Sequence, residues 1–307
     1  MLKNPVPWPK GCRCAATFSW DMDADSIIHM AHPEDANTRV STMSYLRYGP
    51  KIAVPRICDL FEKYKLKTTF FMPAWSMEEH PEAVERVLKG GHEIAHHGYM
   101  HELPNLNTRD REAYWTGRAV EVHKRMTGKS PIGYRAPWYN FSRNTLEILA
   151  DLGFLYDSSL MGDDVPYLMR SRTGKELIEV SANWPTDDWP HYVHNFDLDY
   201  MMTIQPPRLA HEVYWSEFEA AYEYKGFFMT TWHPFVSGRP SRLRYVEKMI
   251  KDMLKMKQKV WITTHADIAK HVRKLIDTKK YKPSVHTIPY KDGRIPELAE
   301  DAQPLRG

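Results

Sequence analysis

The sequence predicts an α/β fold in which a mostly parallel sheet closes into a (β/α) barrel. At least seven short apolar segments alternate with stretches of helical periodicity, and the connections between them are short. The Gly-rich phosphate loops of open, doubly wound nucleotide-binding sheets, GxGxxG and GxxxxGKS/T, are missing from the sequence. A length of 307 residues accommodates one barrel domain, which typically needs about 250 residues.

The first βαβ unit is predicted near the N-terminus. Residues 15–18 form a short apolar run, apolar side chains recur at helical spacing over residues 54–64, and residues 67–72 (KTTFFM) form the second strand. Pro81 then begins a helix that ends at Gly90, since Gly just beyond a helix relieves the left-handed cap. Further strands are predicted at 92–98, 131–135, 154–159, 177–183, 226–232 and 259–264, and further helices at 108–126, 142–152, 207–224 and 241–255.

The two ends of the chain differ from its middle. Residues 1–11 are rich in Pro, and residues 279–307 carry turn signals with little periodicity. We therefore predict a single barrel domain over residues 12–278, flanked by an N-terminal and a C-terminal arm. Arms that lie on the surface or on a neighbouring subunit, together with the many aromatic residues, predict a homo-oligomer.

Composition excludes several classes of function. The 42 basic and 39 acidic residues nearly cancel and are mixed along the chain, so nucleic acid is not an expected partner. There is no apolar run of about 18 residues and no apolar stretch typical of a secretory signal, which predicts a cytoplasmic protein without a membrane partner. Three Cys without a CxxC pair argue against disulfides and against a thiolate zinc site.

Polar side chains collect at the ends of four predicted strands. The first strand ends in SWDMDAD, which contains Asp21 and Asp23, and the strand HEIAHHG continues into YMH. The strand PIGYR ends at Arg135, and GFFMTTW is followed by His233. Because the carboxyl ends of barrel strands meet at one rim, where the chemistry of such barrels takes place, we expect these groups to converge.

Three residues at this rim form a candidate metal site. His97 and His101 are four residues apart, so that both imidazoles can reach one ion, and Asp23 supplies a carboxylate as the third ligand. This ligand set suits zinc or another divalent metal ion and leaves one position open for water. The metal lowers the pKa of that water toward about 7, which predicts hydrolysis by metal-bound hydroxide.

The remaining rim residues complete a hydrolytic mechanism. Asp21 is placed to accept the proton of the water, Arg135 to orient Asp21, and His233 to protonate the leaving nitrogen, with His265 as a weaker second candidate for that acid. Each residue alone also fits a structural role, because the chain has 15 His and because Asp at strand ends often caps helices or turns. The convergence of four strand ends favours the catalytic interpretation.

The motifs resemble those of a known superfamily. The order DxD, HGYxH, RAPW and WHP, spread over residues 15–269, is similar to that of the NodB-type polysaccharide deacetylases of carbohydrate esterase family 4. The longer segments WDMDAD, AHHGYMHE, YRAPWYNFS, YDSSLMGDD, NWPTDDWP and TTWHPFVSGRP resemble a cytoplasmic branch that contains cyclic imidases, allantoinase-like proteins and a peptidoglycan deacetylase homologue. Members of this branch are often tetrameric, so the resemblance also implies an oligomer.

The resemblance implies a distorted (β/α) barrel of about seven parallel strands and a role for individual residues. Two features depart from the secreted deacetylases: Met22 separates two aspartates that are adjacent in their TFDDG motif, and no export signal is expected. Both departures count against a polymer as the substrate. The implied roles are zinc ligand for Asp23, His97 and His101, catalytic base for Asp21, partner of that base for Arg135, general acid for His233 and pocket wall for Pro137 and Trp138.

Acidic and aromatic residues near the same rim are candidates for binding the substrate and for orienting His233. One aspartate of YDSSLMGDD or NWPTDDWP is expected to accept the second N–H of His233, and the sequence leaves open which one. Trp184 and Asp187 are predicted to bind substrate, and aromatic rings suit a sugar and a planar imide equally well. The candidate acids are Asp157, Asp163, Asp164, Asp187 and Asp188, and the candidate stacking residues are Trp138, Tyr139, Trp184 and Trp189.

We therefore expect a zinc-dependent hydrolase that cleaves a non-peptide carbon–nitrogen bond of a small amide or cyclic imide. The alternative is the same chemistry on an N-acetyl sugar or peptidoglycan fragment. A remote alternative is a non-catalytic carbohydrate-binding barrel, which would predict loss of the metal ligands or of the base. Asp21, Asp23, His97 and His101 are all present.

Overall fold

The computed structural model describes residues 2–291, in which a mostly parallel sheet curves into a barrel-like α/β fold. This confirms the predicted fold class. The strands in chain order are β1 (Cys12–Asp21), β2 (Thr69–Met72), β3 (Glu93–His96), β4 (Gly133–Tyr134), β5 (Tyr156–Asp157), β6 (Tyr167–Ser171), β7 (Glu176–Glu179), β8 (His194–Asn195), β9 (Tyr200–Met201), β10 (Phe227–Trp232), β11 (Lys259–Thr263) and β12 (Val285–Ile288).

Helices connect the strands and pack their apolar sides on the sheet. The helix Val54–Lys63 buries Phe61, whose ring contacts the rings of Phe18 and Trp20 on β1. Over residues 2–291 no helix combines the length and the apolar character needed to cross a bilayer. The α-helices are α1 (Ser26–Ala31), α2 (Val40–Tyr48), α3 (Val54–Lys63), α4 (Ala74–Glu79), α5 (Pro81–Lys89), α6 (Arg109–Thr127), α7 (Thr145–Asp151), α8 (Trp189–Tyr192), α9 (Pro207–Tyr224), α10 (Pro234–Ser237), α11 (Pro240–Leu254) and α12 (His265–Asp277), with a π-helical turn at Gly49–Ala53 and 3-10 turns at Ala36–Thr38, Pro104–Leu106, Pro137–Tyr139, Trp184–Thr186 and Phe196–Leu198.

The sheet is ordered around β1, the longest strand. One edge of β1 pairs with β10, and the other edge pairs first with β11 and then with β2. From β2 the parallel order continues through β3, β4, β5 and β7. The two ends of the parallel sheet are joined by few hydrogen bonds, because the segment after β7 meets β10 through an isolated bridge between Asp187 and Thr231. The barrel is therefore distorted between these two strands.

The register of the parallel pairs determines which side chains share the rim. Trp20 on β1 is paired with Trp232 on β10, and His96 on β3 is paired with Tyr134 on β4. Parallel strands in register end side by side, so the residues that follow each pair emerge together. The residues that follow are Asp21, His233, His97 and Arg135.

Four strands lie outside the predicted alternation. β6 runs antiparallel to β7 across a tight turn in which Gly174 has a φ of +88°, and β8 and β9 form a two-stranded hairpin. β12 pairs in parallel with β6, so part of the predicted C-terminal arm forms the edge of the main sheet. Residues 292–307 of that arm lie outside the described residues. In the predicted N-terminal arm Val6 is buried, and Trp8 donates a hydrogen bond to the Lys225 carbonyl.

Candidate active site

A cavity of about 280 Å³ lies at the carboxyl ends of the barrel strands. Polar groups from the ends of β1, β3 and β10 form its base, and aromatic rings from the loops after β4 and β7 form its walls. The structure therefore brings together most of the residues singled out in the sequence. The lining residues are Asp21, Asp23, His97, His101, Ala136, Trp138, Tyr139, Trp184, Asp187, Trp189, Pro190, Tyr200 and His233.

Asp23, His97 and His101 form a buried cluster whose ligand atoms all lie within 4.8 Å of one another. The Nε2 atoms of His97 and His101 lie 3.4 and 3.7 Å from Oδ1 of Asp23. That oxygen is buried and has no hydrogen-bond partner among residues 2–291, although buried polar atoms nearly always have one. Two imidazole nitrogens and one carboxylate oxygen facing one point fit a divalent ion of the zinc type.

The two imidazoles differ in their hydrogen bonds and in the direction of their pKa shifts. Nδ1 of His97 donates to the Arg135 carbonyl at 2.8 Å, and this contact directs Nε2 toward Asp23. Burial lowers the pKa of His101 to about 3, although the Asp23 carboxylate acts in the opposite direction. The neutral imidazole that binds metals is therefore favoured at His101, whereas at His97 the carboxylates of Asp21 and Asp23 outweigh burial and raise the pKa above its ordinary value.

The loop that carries both histidines is folded around the carboxylate of Glu102. This carboxylate accepts hydrogen bonds from the backbone N–H groups of Tyr99, at 3.0 Å, and of Met100, at 2.7 Å. Gly98 has a φ of +76°, and a Cβ there would lie 3.2 Å from the same carboxylate, so glycine is needed at this turn. His101 also has a positive φ, of +66°, which the surrounding contacts must maintain.

Asp21 is fixed by a fully buried arginine. Nη1 of Arg135 donates to Oδ1 of Asp21 at 2.6 Å and lies 3.0 Å from the Ser19 hydroxyl. Nε and Nη2 of the same guanidinium donate to the carbonyl and the hydroxyl of Ser158. The second oxygen of Asp21, Oδ2, lies 3.7 Å from Nε2 of His97 and faces the cluster of Asp23, His97 and His101. Arg135 itself does not line the cavity, because it lies behind Asp21.

His233 is held from the opposite side by Asp188. Nδ1 of His233 donates to Oδ1 of Asp188 at 2.6 Å, and the backbone N–H of His233 donates to Oδ2 at 3.0 Å. Nε2 therefore faces the cavity, 3.5 Å from Oδ2 of Asp23. Burial lowers the pKa of His233, but the neighbouring Asp188 carboxylate outweighs it and raises the pKa to about 10. Asp188 is thus the one of the five candidate aspartates that contacts His233.

Asp187 lies in the cavity wall. It accepts hydrogen bonds from the Tyr139 hydroxyl at 2.6 Å and from the Trp189 backbone N–H at 2.7 Å, and burial raises its pKa to about 7. The other three candidate aspartates lie elsewhere. Asp157 is buried beside Glu179, Asp163 accepts a hydrogen bond from Ser284, and Asp164 is exposed.

The aromatic residues singled out in the sequence, Trp138, Tyr139, Trp184 and Trp189, all line the cavity. Trp138 and Trp184 line the cavity and are 43% and 48% exposed, so both are accessible to a ligand at its mouth. Pro137, predicted on the wall, is buried and does not line the cavity, and its ring would lie 3.2 Å from a Cβ at Gly98. Tyr200, which the sequence reasoning missed, reaches the cavity from the β8–β9 hairpin.

His265, the second candidate for the acid, does not reach the cavity. It is fully buried at the start of α12, where its ring contacts Phe71 and Tyr156. Neither of its ring nitrogens has a hydrogen-bond partner within the described part of the chain. Asp188 and Tyr200 carried no distinctive sequence signal, because one belongs to a run of two aspartates and the other to a short hairpin without clear alternation.

The chain is similar in sequence to deacetylases. The sequence profile of the polysaccharide deacetylase family matches residues 45–156. A peptidoglycan deacetylase from Helicobacter pylori is 34% identical over 242 residues, which cover 70% of this chain and 82% of that protein.

Solved structures show the same fold. A Mycobacterium smegmatis protein classed among the polysaccharide deacetylases is 36% identical, with a TM-score of 0.87 and coverage of 94% of this chain and 99% of that chain. The structure of Puue allantoinase has a TM-score of 0.76 at 24% identity, covering 91% of this chain and 96% of that chain. At that level of identity the second likeness is one of fold.

Proposed function

Because this chain belongs to the polysaccharide deacetylase family, we propose that it is a metal-dependent hydrolase that removes the acetyl group from an N-acetyl amino sugar of a peptidoglycan or polysaccharide fragment. The identity over most of a peptidoglycan deacetylase supports this substrate class over the small amide or cyclic imide that the sequence motifs favour. Deacetylation of an N-acetyl sugar, the alternative expected from the motifs, is therefore the main hypothesis.

The observation that carries the proposal is the arrangement of five groups around one cavity. A candidate metal cluster lies at its base, a carboxylate held by Arg135 lies on one side, and an imidazole held by Asp188 lies on the other. Amide hydrolysis requires these functions, namely activation of water, acceptance of its proton and donation of a proton to the leaving nitrogen.

In the proposed mechanism Asp23, His97 and His101 hold a divalent ion. When bound, this ion supplies Lewis-acid activation of water and of the amide carbonyl. Asp21 accepts the proton of the attacking water at Oδ2, because Arg135 occupies Oδ1 and leaves Oδ2 directed toward the cavity. The buried guanidinium also keeps the carboxylate in one orientation, which reduces the reorganisation needed in the reaction.

His233 acts on the leaving group. With Nδ1 bound to Asp188, its Nε2 donates a proton to the amide nitrogen as the carbon–nitrogen bond breaks. The net reaction is R–NH–CO–CH₃ + H₂O → R–NH₃⁺ + CH₃COO⁻. Trp138, Trp184 and Tyr200 surround the position of the sugar ring, whose apolar face packs on aromatic side chains.

A second candidate function is hydrolysis of a small cyclic imide. The cavity of about 280 Å³ has room for one sugar ring or one small heterocycle, and its aromatic walls suit a planar ring. Its size favours a small or terminal group over the middle of a polymer chain. Cyclic imides are therefore assayed beside the N-acetyl sugars.

The test is a parallel assay of protein reconstituted with zinc. We expect acetate release from N-acetylglucosamine oligomers and peptidoglycan fragments, and we expect that Asp23→Ala abolishes it together with metal binding. Ring opening of succinimide, maleimide, dihydrouracil or allantoin without acetate release would replace the deacetylase proposal with the imide hydrolase. Turnover of neither class by metal-loaded protein would favour the non-catalytic carbohydrate-binding barrel.

Three further features stay predictions of the sequence: the cytoplasmic location, the homo-oligomeric state and the limits of the domain at residues 12 and 278. Light scattering of the purified protein measures the second of these directly.

A further inference from the structure

A second and larger cavity, of about 590 Å³, lies on the side of the barrel where the ring closes weakly. One wall is the loop after β5 with Asp163 and Asp164, the facing wall is α9 with Glu217, and the amino-terminal half of β10 lies between them. The turn Trp184–Thr186 separates the two cavities, because its first residue lines the candidate active site and its last residue lines this acidic cavity.

The acidic cavity is negative in a chain whose formal net charge is +3. Asp163, Asp164 and Glu217 contribute three carboxylates, whereas none of the described residues that line it is Lys, Arg or His. Carboxylates gathered without an opposite charge raise the local concentration of cations. The cavity therefore selects for a positively charged ligand.

A buried hydroxyl gives independent evidence for a ligand. Ser181 lines the acidic cavity, is only 6% exposed, and its Oγ has no hydrogen-bond partner among residues 2–291. A buried hydroxyl without a partner costs free energy, so a polar group of a ligand at this position would stabilise it. Asn183, also in the lining, is a second neutral polar group, and its side-chain amide donates to Glu217 at 3.4 Å.

The ligand is larger than a metal ion. Within the described part of the chain the three carboxylates belong to no group of three ligand atoms within 4.8 Å of one another, so they do not share one ion. A cationic amine with several hydroxyl groups matches the lining better: the ammonium pairs with the carboxylates, and the hydroxyls with Ser181 and Asn183. Tyr224 supplies an aromatic ring of the kind that packs on the face of a sugar.

We propose that the acidic cavity binds the deacetylated, cationic amino sugar. This inference rests on the proposed function, because deacetylation releases one primary amine for each acetate. The acidic cavity then holds the deacetylated end of a partly deacetylated fragment. The turn Trp184–Thr186 lies between this end and the candidate active site, where the acetyl group is removed.

The test is calorimetric titration of the metal-loaded protein with a glucosamine trimer at low ionic strength, with the neutral glucose trimer as comparison. We expect the amino trimer to bind at least tenfold more tightly than the neutral trimer, and more weakly as salt is raised. The double variant Asp164→Asn, Glu217→Gln should lose at least tenfold in affinity. Glu219→Gln, on the exposed side of α9 and outside the lining, should bind like the wild type.

Three results would overturn the inference: no binding of the amino trimer, equal binding of the neutral trimer, or unchanged affinity in the double variant. Acetate release from an N-acetylglucosamine trimer is measured on the same proteins, and the double variant should keep the wild-type initial rate because neither residue lines the candidate active site. Amine binding without acetate release would contradict the proposed function alone, whereas acetate release without amine binding would contradict this inference alone.

Discussion

At the residue scale, the contact between His233 and Asp188 determines which ring nitrogen faces the substrate. Asp188 accepts both the side-chain and the backbone N–H of His233, and it is itself fully buried. In the variant Asp188→Asn the amide can donate to Nδ1, which would place the proton of a neutral ring on Nε2 without the charge of an imidazolium. We expect kcat for acetate release to fall about 100-fold, in line with loss of general acid catalysis.

Metal content separates this effect from damage to the site. Asp188 contributes no atom to the Asp23, His97 and His101 cluster, so Asp188→Asn should bind the same amount of zinc as the wild type. A kcat within about threefold of the wild type would remove His233 from the role of acid. Loss of zinc together with activity would instead give Asp188 a structural role in the metal site.

A second pair of variants separates the metal ligand from the base. Asp23→Ala should lose bound zinc and activity together, because Asp23 supplies the only carboxylate of the candidate cluster. Asp21→Asn keeps a hydrogen-bond acceptor for Arg135, so it should retain zinc while kcat falls by about 10² to 10⁴. Elemental analysis and initial rates on the same preparations check both outcomes.

Stability must be measured beside these rates. Asp21→Asn leaves the fully buried Arg135 without its carboxylate, and an uncompensated buried charge costs about 3–5 kcal/mol. We therefore expect a lower unfolding midpoint in Asp21→Asn, and the rates should be compared well below it. Near-normal turnover by folded, zinc-loaded Asp21→Asn would show that another group accepts the proton.

At the scale of a single element, the loop after β3 is organised by Glu102. Its carboxylate accepts the backbone N–H groups of Tyr99 and Met100, which lie between the two candidate zinc ligands. Glu102→Ala removes these acceptors and should weaken zinc binding by about 10- to 100-fold, as for other residues that orient metal ligands. Glu102→Gln keeps one carbonyl oxygen and should be intermediate. Zinc affinity by chelator competition, and the visible spectrum of the cobalt-substituted protein, measure the change.

Glu78→Gln is the matched control for this prediction. Glu78 also contacts the loop, but through the Tyr99 hydroxyl and Arg125, away from the backbone that positions the histidines. It should therefore bind zinc like the wild type. Equal zinc affinity and an unchanged cobalt spectrum in Glu102→Ala would show that the loop holds its shape without this carboxylate.

The elements differ in how strongly the sequence specifies them. Strands and helices with a strong apolar pattern, such as β10 and α9, lie where the pattern predicts them. β12 was missed because a strand at the edge of the sheet needs few apolar residues, and because its pairing with β6 joins segments more than 110 residues apart. The approach of Asp23, His97 and His101 to one another could be predicted from strand ends, whereas the contact of Asp188 with His233 depends on closure of the barrel by the Asp187–Thr231 bridge.

At the scale of the whole molecule, two stacked imidazoles under the sheet link folding to pH. The rings of His96 and His123 lie 5.6 Å apart between centroids, and both side chains are buried. Burial lowers the pKa of His123 to about 4 and that of His96 well below its ordinary value. In the unfolded chain both titrate near pH 6.5, so between about pH 6.5 and pH 4 the unfolded chain binds more protons. Their contribution to stability is complete above pH 6.5 and is lost as the pH falls.

Because this contribution to stability is lost as the pH falls, the free energy of unfolding should decrease in acid. Lowering the pH from 7 to 5 should cost roughly 2 kcal/mol of unfolding free energy through His123 alone, and this cost should disappear in His123→Leu. The buried acid Glu179, whose pKa burial raises, gives a slope of the opposite sign, so the test is the difference between wild type and variant. Urea unfolding of metal-free protein at both pH values measures it, with exposed His194→Gln as control. Parallel pH slopes in the wild type and in His123→Leu would mean that the buried stack does not couple folding to pH.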